Sequence, residues 1–453
     1  MSELFREERR DFGSLGDILS QSLYDEVLPK HLKPVPQLNE VYELELAYYE
    51  SRILTDEEIQ RNGAYFASVN GLPTRHFLIC RGEPLKLADH SSSRLKSFFK
   101  NNQFKTGYAT NGLFPYRGKF HPQMIKGLIN VMGLKPGNVV LDPMMGSGTV
   151  LIEASLMGIH SIGLDSSPFC SFMAKAKLDG LKVPIGYLKA SLRDFDTTFR
   201  YYNHKVGQET SSAPRRQVSL LTEPRITTKQ YAIPQWSKRQ DVQDYLMLAF
   251  LDAKGYSERS NRKSFEEQFK AILERYIFVA EKIQTVLNGF QDELGEAEPK
   301  TGDARKMEIP DESVDGIIFS PPYSFAIDYL ANDEYHLHAI GVDVDKLRES
   351  MVGLRGRYLK QKYENYLSDM NQVIAECSRV LKSGKICSIV VGTNNNQISK
   401  ILKVNPEEVT GIQDQLTEMA RNHGMGLLRR IERQITGMAN TMRSEFILML
   451  QKN

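Results

Sequence analysis

The chain has 453 residues, of which 41% are hydrophobic and 25% are charged. This length corresponds to two or three domains with a sizeable core, which excludes a small disulfide-stapled scaffold and a largely disordered chain. The formal net charge is only +2, so global charge does not identify a partner. The four cysteines show neither Cys-x-x-Cys spacing nor matching histidines, so we expect no disulfides and no bound metal.

The first residues alternate in charge and lack the apolar centre of a signal peptide. No apolar run is long enough to span a bilayer, so we expect no membrane segment and a cytoplasmic location. Residues 1–110 form an extension of unknown role. Within it, the apolar spacing from Val41 to Leu54 indicates a helix, and His76 to Cys80 is a candidate strand.

From about Lys119 onward, helical patterns alternate with short apolar strands. This alternation predicts a βαβ unit and a mostly parallel sheet. The helices are predicted at Met124–Met132 and Val150–Met157, and the strands at Asn138–Leu141, Ser161–Leu164, Val314–Phe319, Lys385–Val391 and Glu445–Leu450. The long gap between the second and third strands divides the chain into a core of residues 111–183 and 300–453 and an insert of residues 184–299.

The insert contains a basic stretch and a long amphipathic helix. Between Arg193 and Arg239, nine residues are basic and four are acidic, and tyrosines and the single tryptophan lie among them. This mixture is typical of surfaces that follow phosphates and stack on bases, although a solvated loop would have a similar composition. The nucleic-acid-binding candidates are Arg215, Arg216, Arg225, Lys229, Trp236, Lys238 and Arg239. The helix spans Phe265 to Leu294, and its apolar stripe indicates core packing.

The first chemical motif runs from a buried strand through Asp142-Pro143-Met144-Met145 into Gly146-Ser147-Gly148-Thr149 and a helix. Its glycines allow a tight turn and a close approach to a ligand, which would suit a nucleoside cofactor. A second acid, Asp165, ends the next strand, where it could bind ribose hydroxyls. Leu151 stands where the dinucleotide fingerprint has its third glycine, which argues against NAD, and the Gly-Lys-Ser/Thr of a phosphate loop is also missing.

The second motif is Ser320-Pro321-Pro322-Tyr323, at the end of an apolar strand. The prolines fix the backbone and donate no N–H, so the carbonyls of Ser320 and Pro321 are available as acceptors for an amino group. Such acceptors would favour attack by a planar exocyclic amine, while Tyr323 would stack on its ring. A Ser-Pro turn that only caps a strand is the alternative for this motif in isolation.

Together the two motifs resemble the S-adenosylmethionine-dependent DNA amino-methyltransferases, and Ser-Pro-Pro-Tyr resembles the cytosine-N4 branch of that family. Supporting segments are Tyr116 to Gln123 upstream, Gly302-Asp303-Ala304, and Lys382 to Lys385 before a late strand. The resemblance covers roughly residues 115–180 and 300–450. It implies an α/β, Rossmann-like class I methyltransferase fold with a seven-stranded, mostly parallel sheet and a helical, basic insert.

The resemblance also assigns residue roles. Ser320, Pro321, Pro322 and Tyr323 would hold the target base. Asp165 would bind the ribose, Asp303 would meet the adenine amino group, and the segment from Phe120 would lie beside the methionine part. The complete predicted cofactor set is Phe120, His121, Pro122, Asp142, Pro143, Gly146, Ser147, Gly148, Thr149, Asp165, Ser166, Asp303 and Ala304. The insert precedes Gly302, so its role in target recognition is inferred from its charge and position.

The implied activity is transfer of the methyl group of S-adenosylmethionine to cytosine N4 in duplex DNA, with the target base flipped out of the helix. Adenine N6 and an RNA base, including the guanosine N2 of tRNA, remain open as targets. A subunit that binds cofactor and nucleic acid without catalysis is the alternative from another class. Double-stranded DNA is the expected partner, and the resemblance also suggests a cognate restriction endonuclease. The oligomeric state and the recognition sequence do not follow from the sequence.

Overall fold

The computed structural model describes residues 26–36, 38, 40–104, 107–211, 235–259, 263–290, 293–322, 329–393, 395–434 and 444–453. Its N-terminal region contains a small antiparallel sheet with β2 between β1 and β3. These strands and the first helices are β1 (Leu32–Pro34), α1 (Val41–Ile53), α2 (Asp56–Asn62), β2 (Phe66–Val69), β3 (Leu72–Pro73), α3 (Arg75–Cys80) and α4 (Ser93–Phe98). None of the described helices is long and apolar enough to cross a membrane.

The strand predicted at His76 to Cys80 is wrong, because this segment is helix α3. The Thr74 hydroxyl accepts a hydrogen bond from the backbone N–H of Phe77, which caps the first turn of the helix. A short apolar run does not distinguish a strand from a buried helix by its periodicity alone.

The N-terminal region is joined to the core through a buried carboxylate. Helix α1 packs against the first core helix, α5 (Pro122–Val131). Glu50 of α1 is fully buried and accepts hydrogen bonds from the backbone N–H groups of Ala64 and Tyr65 and from the amide of Asn130 in α5. Burial raises the pKa of Glu50 to about 7. The extension is therefore an integral part of the molecule.

The core begins with the βαβ unit that the sequence predicts. After α5 come β4 (Val139–Asp142), α6 (Thr149–Leu156), β5 (His160–Asp165) and α7 (Pro168–Asp179). Strands β4 and β5 are parallel, with Leu141 opposite Ile162. Val140 and Leu141 are both fully buried, as expected for a strand covered on both faces of the sheet.

The insert is mainly helical and packs on both other parts of the chain. Its helices are α8 (Ile185–Arg193), α9 (Phe195–Ser211), α10 (Gln240–Arg259) and α11 (Phe265–Phe290). Helix α10 packs against α7 of the core, and α11 packs against α10 and against α3 and α4 of the N-terminal region. The apolar stripe of α11 is buried, which confirms its predicted packing role.

The remaining elements complete the sheet. They are β6 (Ala297–Thr301), β7 (Val314–Phe319), α12 (Tyr329–Ala339), α13 (Val344–Ser350), α14 (Leu359–Val380), β8 (Leu381–Thr393), α15 (Asn395–Leu402), α16 (Ile412–Asn422), β9 (Met425–Gln434) and β10 (Ser444–Lys452). Strand β6 begins at residue 297, inside the span 184–299 that the sequence assigns to the insert, so the junction of insert and sheet falls slightly earlier.

Among the described residues the main sheet has seven strands in the order β6-β5-β4-β7-β8-β10-β9. The five strands from β6 to β8 are parallel, and β10 runs antiparallel to both of its neighbours. Helices α5 to α7 lie over one face, and α14 to α16 over the other. This doubly wound arrangement confirms the predicted Rossmann-like class I methyltransferase fold.

Candidate functional site

A cleft of about 980 Å³ opens at the carboxyl ends of β4, β5, β6 and β7. Ligands of open parallel sheets bind at this edge, where the strand order reverses on either side of the first strand. Twelve sequence-predicted site residues line the cleft: Phe120, Pro143, Gly146, Ser147, Thr149, Asp165, Ser166, Asp303, Ala304, Ser320, Pro321 and Pro322. The two motifs, about 170 residues apart in the chain, therefore meet in one site.

The glycine motif forms the turn between β4 and α6. Gly146 and Gly148 both have positive φ, at +48° and +79°. The backbone N–H of Met145 donates to the carbonyl of Leu164 in β5, and the N–H of Gly148 closes the turn on the Met145 carbonyl. A Cβ on Gly148 would lie 2.6 Å from the Cβ of Ala174 in α7, so only glycine fits there.

Asp142 lies beneath this turn and not in the cleft wall. It is fully buried, and its Oδ1 accepts from the backbone N–H of Met144 at 3.1 Å. Burial raises its pKa well above the usual range of an aspartate. Gly148 is likewise behind the wall. Both residues shape the loop, whereas their neighbours Pro143, Ser147 and Thr149 line the cleft.

Asp165 connects the end of β5 to the glycine turn. Its Oδ2 accepts from the backbone N–H of Gly146 at 2.9 Å, and its Oδ1 accepts from the N–H of Ser167 at 2.8 Å. Burial raises the pKa of Asp165, and these two N–H groups oppose that rise. The carboxylate is thus fixed in the cleft with lone pairs left for a ligand hydroxyl.

Asp303 follows β6 and is held by an arginine. The Arg305 guanidinium contacts both carboxylate oxygens and also reaches the buried Asp369 of α14. Although burial acts to raise it, these hydrogen bonds hold the pKa of Asp303 below its usual value. Asp303 therefore presents a charged, oriented acceptor to the cleft.

The upstream segment divides between two cavities. Phe120, Lys119 and Tyr116 line the cleft, and the Tyr116 hydroxyl accepts a hydrogen bond from the Cys170 thiol at 3.6 Å. His121 instead lines a separate cavity beside the N-terminal region, where burial lowers its pKa to about 4. Pro122 is the first residue of α5 and is buried. Successive residues of this segment face opposite sides, so the expected row of contacts is interrupted after Phe120.

Ser320, Pro321 and Pro322 line the cleft directly after β7, which lies next to β4 in the sheet. Leu141 of β4 is opposite Ile317 of β7, so the glycine turn and the Ser-Pro-Pro segment leave neighbouring strands at the same edge. Tyr323 lies outside the described residues, and its predicted stacking role stays a prediction.

Sequence reasoning missed several residues of the cleft wall. Cys170, Asp333 and the segment Ser350 to Val352 all line it. Leu330 also lines it, and this residue ends the stretch after Ser320 that resembles the catalytic loop of the family. Leu330 and Asp333 belong to α12, and Ser350 ends α13. Of these missed residues, the sequence offered a signal only for Asp333, because it is an acidic residue in the helix that directly follows the Ser-Pro-Pro-Tyr motif.

The nucleic-acid candidates of the insert lie largely outside the described residues, as Arg215, Arg216, Arg225 and Lys229 do. Trp236 is buried and stacks on Tyr202, with ring centroids 5.6 Å apart, so its predicted base-stacking role is not compatible with its position. An indole buries a large apolar area, and here it fills the insert core. Lys238 and Arg239 are exposed, and Arg239 pairs with Asp241.

The charge of the cleft is compatible with a cationic cofactor. Its charged lining residues, within the described chain, are Asp165, Asp303, Asp333 and Lys119. Asp303 is paired with Arg305, and the other charged lining residues are two carboxylates and one ammonium. This excess of negative charge suits a ligand such as S-adenosylmethionine, whose sulfonium and amino groups outweigh its single carboxylate. Together with the doubly wound sheet and its glycine turn, this cleft defines an S-adenosylmethionine-dependent methyltransferase.

Comparison with known families agrees with this class. A family model described as the RMKL-like methyltransferase domain, UPF0020, matches residues 113–339, which is 227 of the 453 residues. The chain belongs to this methyltransferase family, and S-adenosylmethionine is its cofactor.

Curated relatives include two type II methyltransferases. M.MjaII of Methanocaldococcus jannaschii is 27% identical over 197 residues, covering 42% of this chain and 37% of that protein. M.BsoBI of Geobacillus stearothermophilus is 24% identical over 284 residues, covering 52% and 53%. A tRNA (guanine(10)-N2)-dimethyltransferase of Methanothermobacter thermautotrophicus is 42% identical over 52 residues, covering 12% and 16%. The chain thus spans about half or less of the length of these relatives.

Similar solved structures include an S-adenosylmethionine-dependent methyltransferase of Methanosarcina mazei, with 12% identity and a TM-score of 0.31, covering 70% of this chain and 94% of that one. A geranyl diphosphate methyltransferase in complex with S-adenosylmethionine has 8% identity and a TM-score of 0.31, covering 74% and 86%.

Proposed function

We propose that the protein is a site-specific DNA methyltransferase that transfers the methyl group of S-adenosylmethionine to the exocyclic N4 of cytosine in duplex DNA. The observation that carries this proposal is the meeting of Ser320-Pro321-Pro322 with the glycine turn in one cleft. Acceptors for an amino group then lie beside the cofactor loop. The similarity to two type II methyltransferases supports DNA as the substrate.

The chemistry needs little more than placement and proton acceptance. An exocyclic amine is a weak nucleophile, because its lone pair is delocalised into the base. The Ser320 side chain and the Pro321 carbonyl would accept its N–H hydrogens, so that the lone pair is directed at the methyl carbon. The bound cofactor supplies an electrophilic methyl group on sulfur. As the N–C bond forms, the C–S bond breaks with its electrons on sulfur, and the amine loses one proton to an acceptor of the cleft.

The roles of the cofactor residues belong to the same proposal. Asp165 would accept from the ribose hydroxyls, since its carboxylate is fixed at the end of β5. Asp303 would accept from the adenine amino group, and Phe120 would pack beside the methionine part, together with Gly146 to Thr149. In duplex DNA the target cytosine must leave the helix, at a cost of a few kcal/mol, to enter such a cleft.

An RNA base is the second candidate, and a specific observation favours it. The chain is 42% identical over 52 residues to a tRNA guanine-N2 dimethyltransferase, and guanine N2 is also a planar exocyclic amine. Adenine N6 would use the same acceptors. The partners implied by the main proposal are double-stranded DNA and a cognate restriction endonuclease.

The test supplies methyl-labelled S-adenosylmethionine with mixed duplex DNA or with total RNA, followed by digestion to nucleosides. We expect labelled N4-methylcytosine from DNA. Labelled N6-methyladenine would overturn the choice of cytosine as the target base. Label found only in RNA would replace the DNA proposal with the RNA candidate.

Two serine variants separate catalysis from binding. Ser320→Ala should lower turnover by about 100-fold while cofactor affinity is kept, because it removes an acceptor needed in the transition state. Ser313→Ala is the matched control, since Ser313 precedes β7 at the opposite end of the strand and bonds to the Pro310 carbonyl. Equal turnover in the two variants would overturn the catalytic role assigned to Ser320.

A further inference from the structure

A second polar cavity, of about 860 Å³, lies where the N-terminal region, the insert and the core meet. It is lined by Arg94 and Ser97 of α4, Tyr256 of α10, Arg275 of α11 and Lys119. All the charged residues of its described wall are basic. We call it the cationic pocket.

The positive charge of the cationic pocket is not balanced by the carboxylates described around it. Asp252 is fully buried and pairs with Arg275, whose Nε–H has no hydrogen-bond partner among the described residues. Arg94 donates to the neutral amide of Gln268 and lies 4.0 Å from the ring centroid of Tyr256.

Two lysines nearby also contact neutral groups. Lys119 Nζ donates to the Asn111 carbonyl at 3.1 Å, and the fully buried Lys177 Nζ lies 3.4 Å from the Ser147 carbonyl. Burial and then the charge of Arg275 lower the pKa of Lys119. Buried charges in proteins are normally paired, so an anion would relieve this repulsion.

The cationic pocket is next to the methyltransfer site, because Lys119 lines both cavities. We infer that the cationic pocket binds a phosphate group of the nucleic-acid backbone close to the target nucleotide. The inference rests on the proposed function, since it assumes a nucleic-acid substrate. Arginine guanidinium groups match the geometry of phosphate oxygens, and the exposed Ser97 hydroxyl adds a neutral donor.

The test compares the salt dependence of nucleic-acid binding in Arg94 variants. A phosphate contact contributes about 0.9 to the slope of log affinity against log salt. Arg94→Gln should lower the slope by about that amount, Arg94→Lys should keep it, and cofactor affinity should stay unchanged in both. Lys96→Gln is the matched control, because Lys96 is exposed on the same helix but does not line the pocket. The ligand is whichever of duplex DNA or RNA the wild type methylates.

A second arm uses inorganic phosphate against chloride at equal ionic strength and follows thermal unfolding. Phosphate should stabilise the wild type and Arg94→Lys more than Arg94→Gln. If phosphate stabilises the wild type but Arg94→Gln leaves the salt slope of nucleic-acid binding unchanged, the pocket binds a free anion and the inference is overturned. An equal loss of slope in Lys96→Gln would overturn it too. If the wild type binds no nucleic acid at all, both the inference and the proposed function fail. If the wild type methylates nucleic acid normally and Arg94→Gln leaves the salt slope of binding unchanged, only the inference is refuted.

Discussion

Replacing Gly148 by alanine tests the packing that shapes the cofactor loop. Gly148 has φ +79° and is the N-cap of α6. An added Cβ would lie 2.6 Å from the Cβ and 3.1 Å from the Cα of Ala174 in α7. Neither side can retreat easily, because the Gly148 N–H is bonded to Met145 and its carbonyl accepts from Ile152.

The expected loss has two parts. A left-handed conformation costs an L-residue about 1–2 kcal/mol, and forcing an extra methyl into a packed contact costs about 1–3 kcal/mol. Gly148→Ala should therefore lower the free energy of unfolding by about 2–5 kcal/mol. Gly133→Ala isolates the first part, because Gly133 has φ +71° and a Cβ added there would meet no described atom within 4 Å.

Urea denaturation of the two variants and the wild type measures the difference. We expect Gly148→Ala to be less stable than Gly133→Ala by about 1–3 kcal/mol. Calorimetric titration should also give weaker S-adenosylmethionine binding only for Gly148→Ala, because Ser147 and Thr149 on either side line the cleft. Equal stabilities and equal cofactor affinities would refute the reasoning.

Three further predictions concern buried or cleft carboxylates. The pKa of Glu50 is near 4.5 in the unfolded chain and about 7 in the folded protein, so between these pH values only the folded protein keeps the proton. The free energy of unfolding should therefore fall by about 3 kcal/mol as the pH rises through this range. Urea denaturation at several pH values should show that Glu50→Gln removes this pH dependence. Glu153→Gln leaves the buried Lys126 without its carboxylate and should cost about 3–5 kcal/mol by urea denaturation, whereas adding Lys126→Met should recover most of it. Asp165→Asn should weaken S-adenosylmethionine binding by calorimetry about 10–100-fold, and an unchanged affinity would contradict its assigned role.

The sequence alone predicted the elements whose pattern is local. Strands β4 and β7 are mainly apolar and almost entirely buried, and the motif glycines mark a turn that needs positive φ. Alternating strands and helices predicted a mostly parallel sheet. The class I methyltransferase fold was implied by the resemblance that the two motifs carry. Strand β6 was missed, since it lies at the sheet edge with mostly exposed polar residues and carries no apolar run.

Tertiary structure decided the positions that depend on distant segments. Trp236 is buried because α9 supplies Tyr202 as its partner, and His121 faces away from Phe120 because the chain enters α5 there. The cationic pocket likewise combines Arg94, Lys119 and Arg275, which lie far apart in the chain.

The sequence by itself therefore determined the mostly parallel sheet and the two motifs of its cleft, because turns and hydrophobic periodicity are set by neighbouring residues. The resemblance of those motifs then implied the methyltransferase fold. Which side chains share a cavity, and which charges remain unbalanced inside it, depended on how α4, α10 and α11 pack around the core. That packing arises from apolar contacts between segments that lie far apart in the chain, and such contacts cannot be predicted from a local sequence pattern.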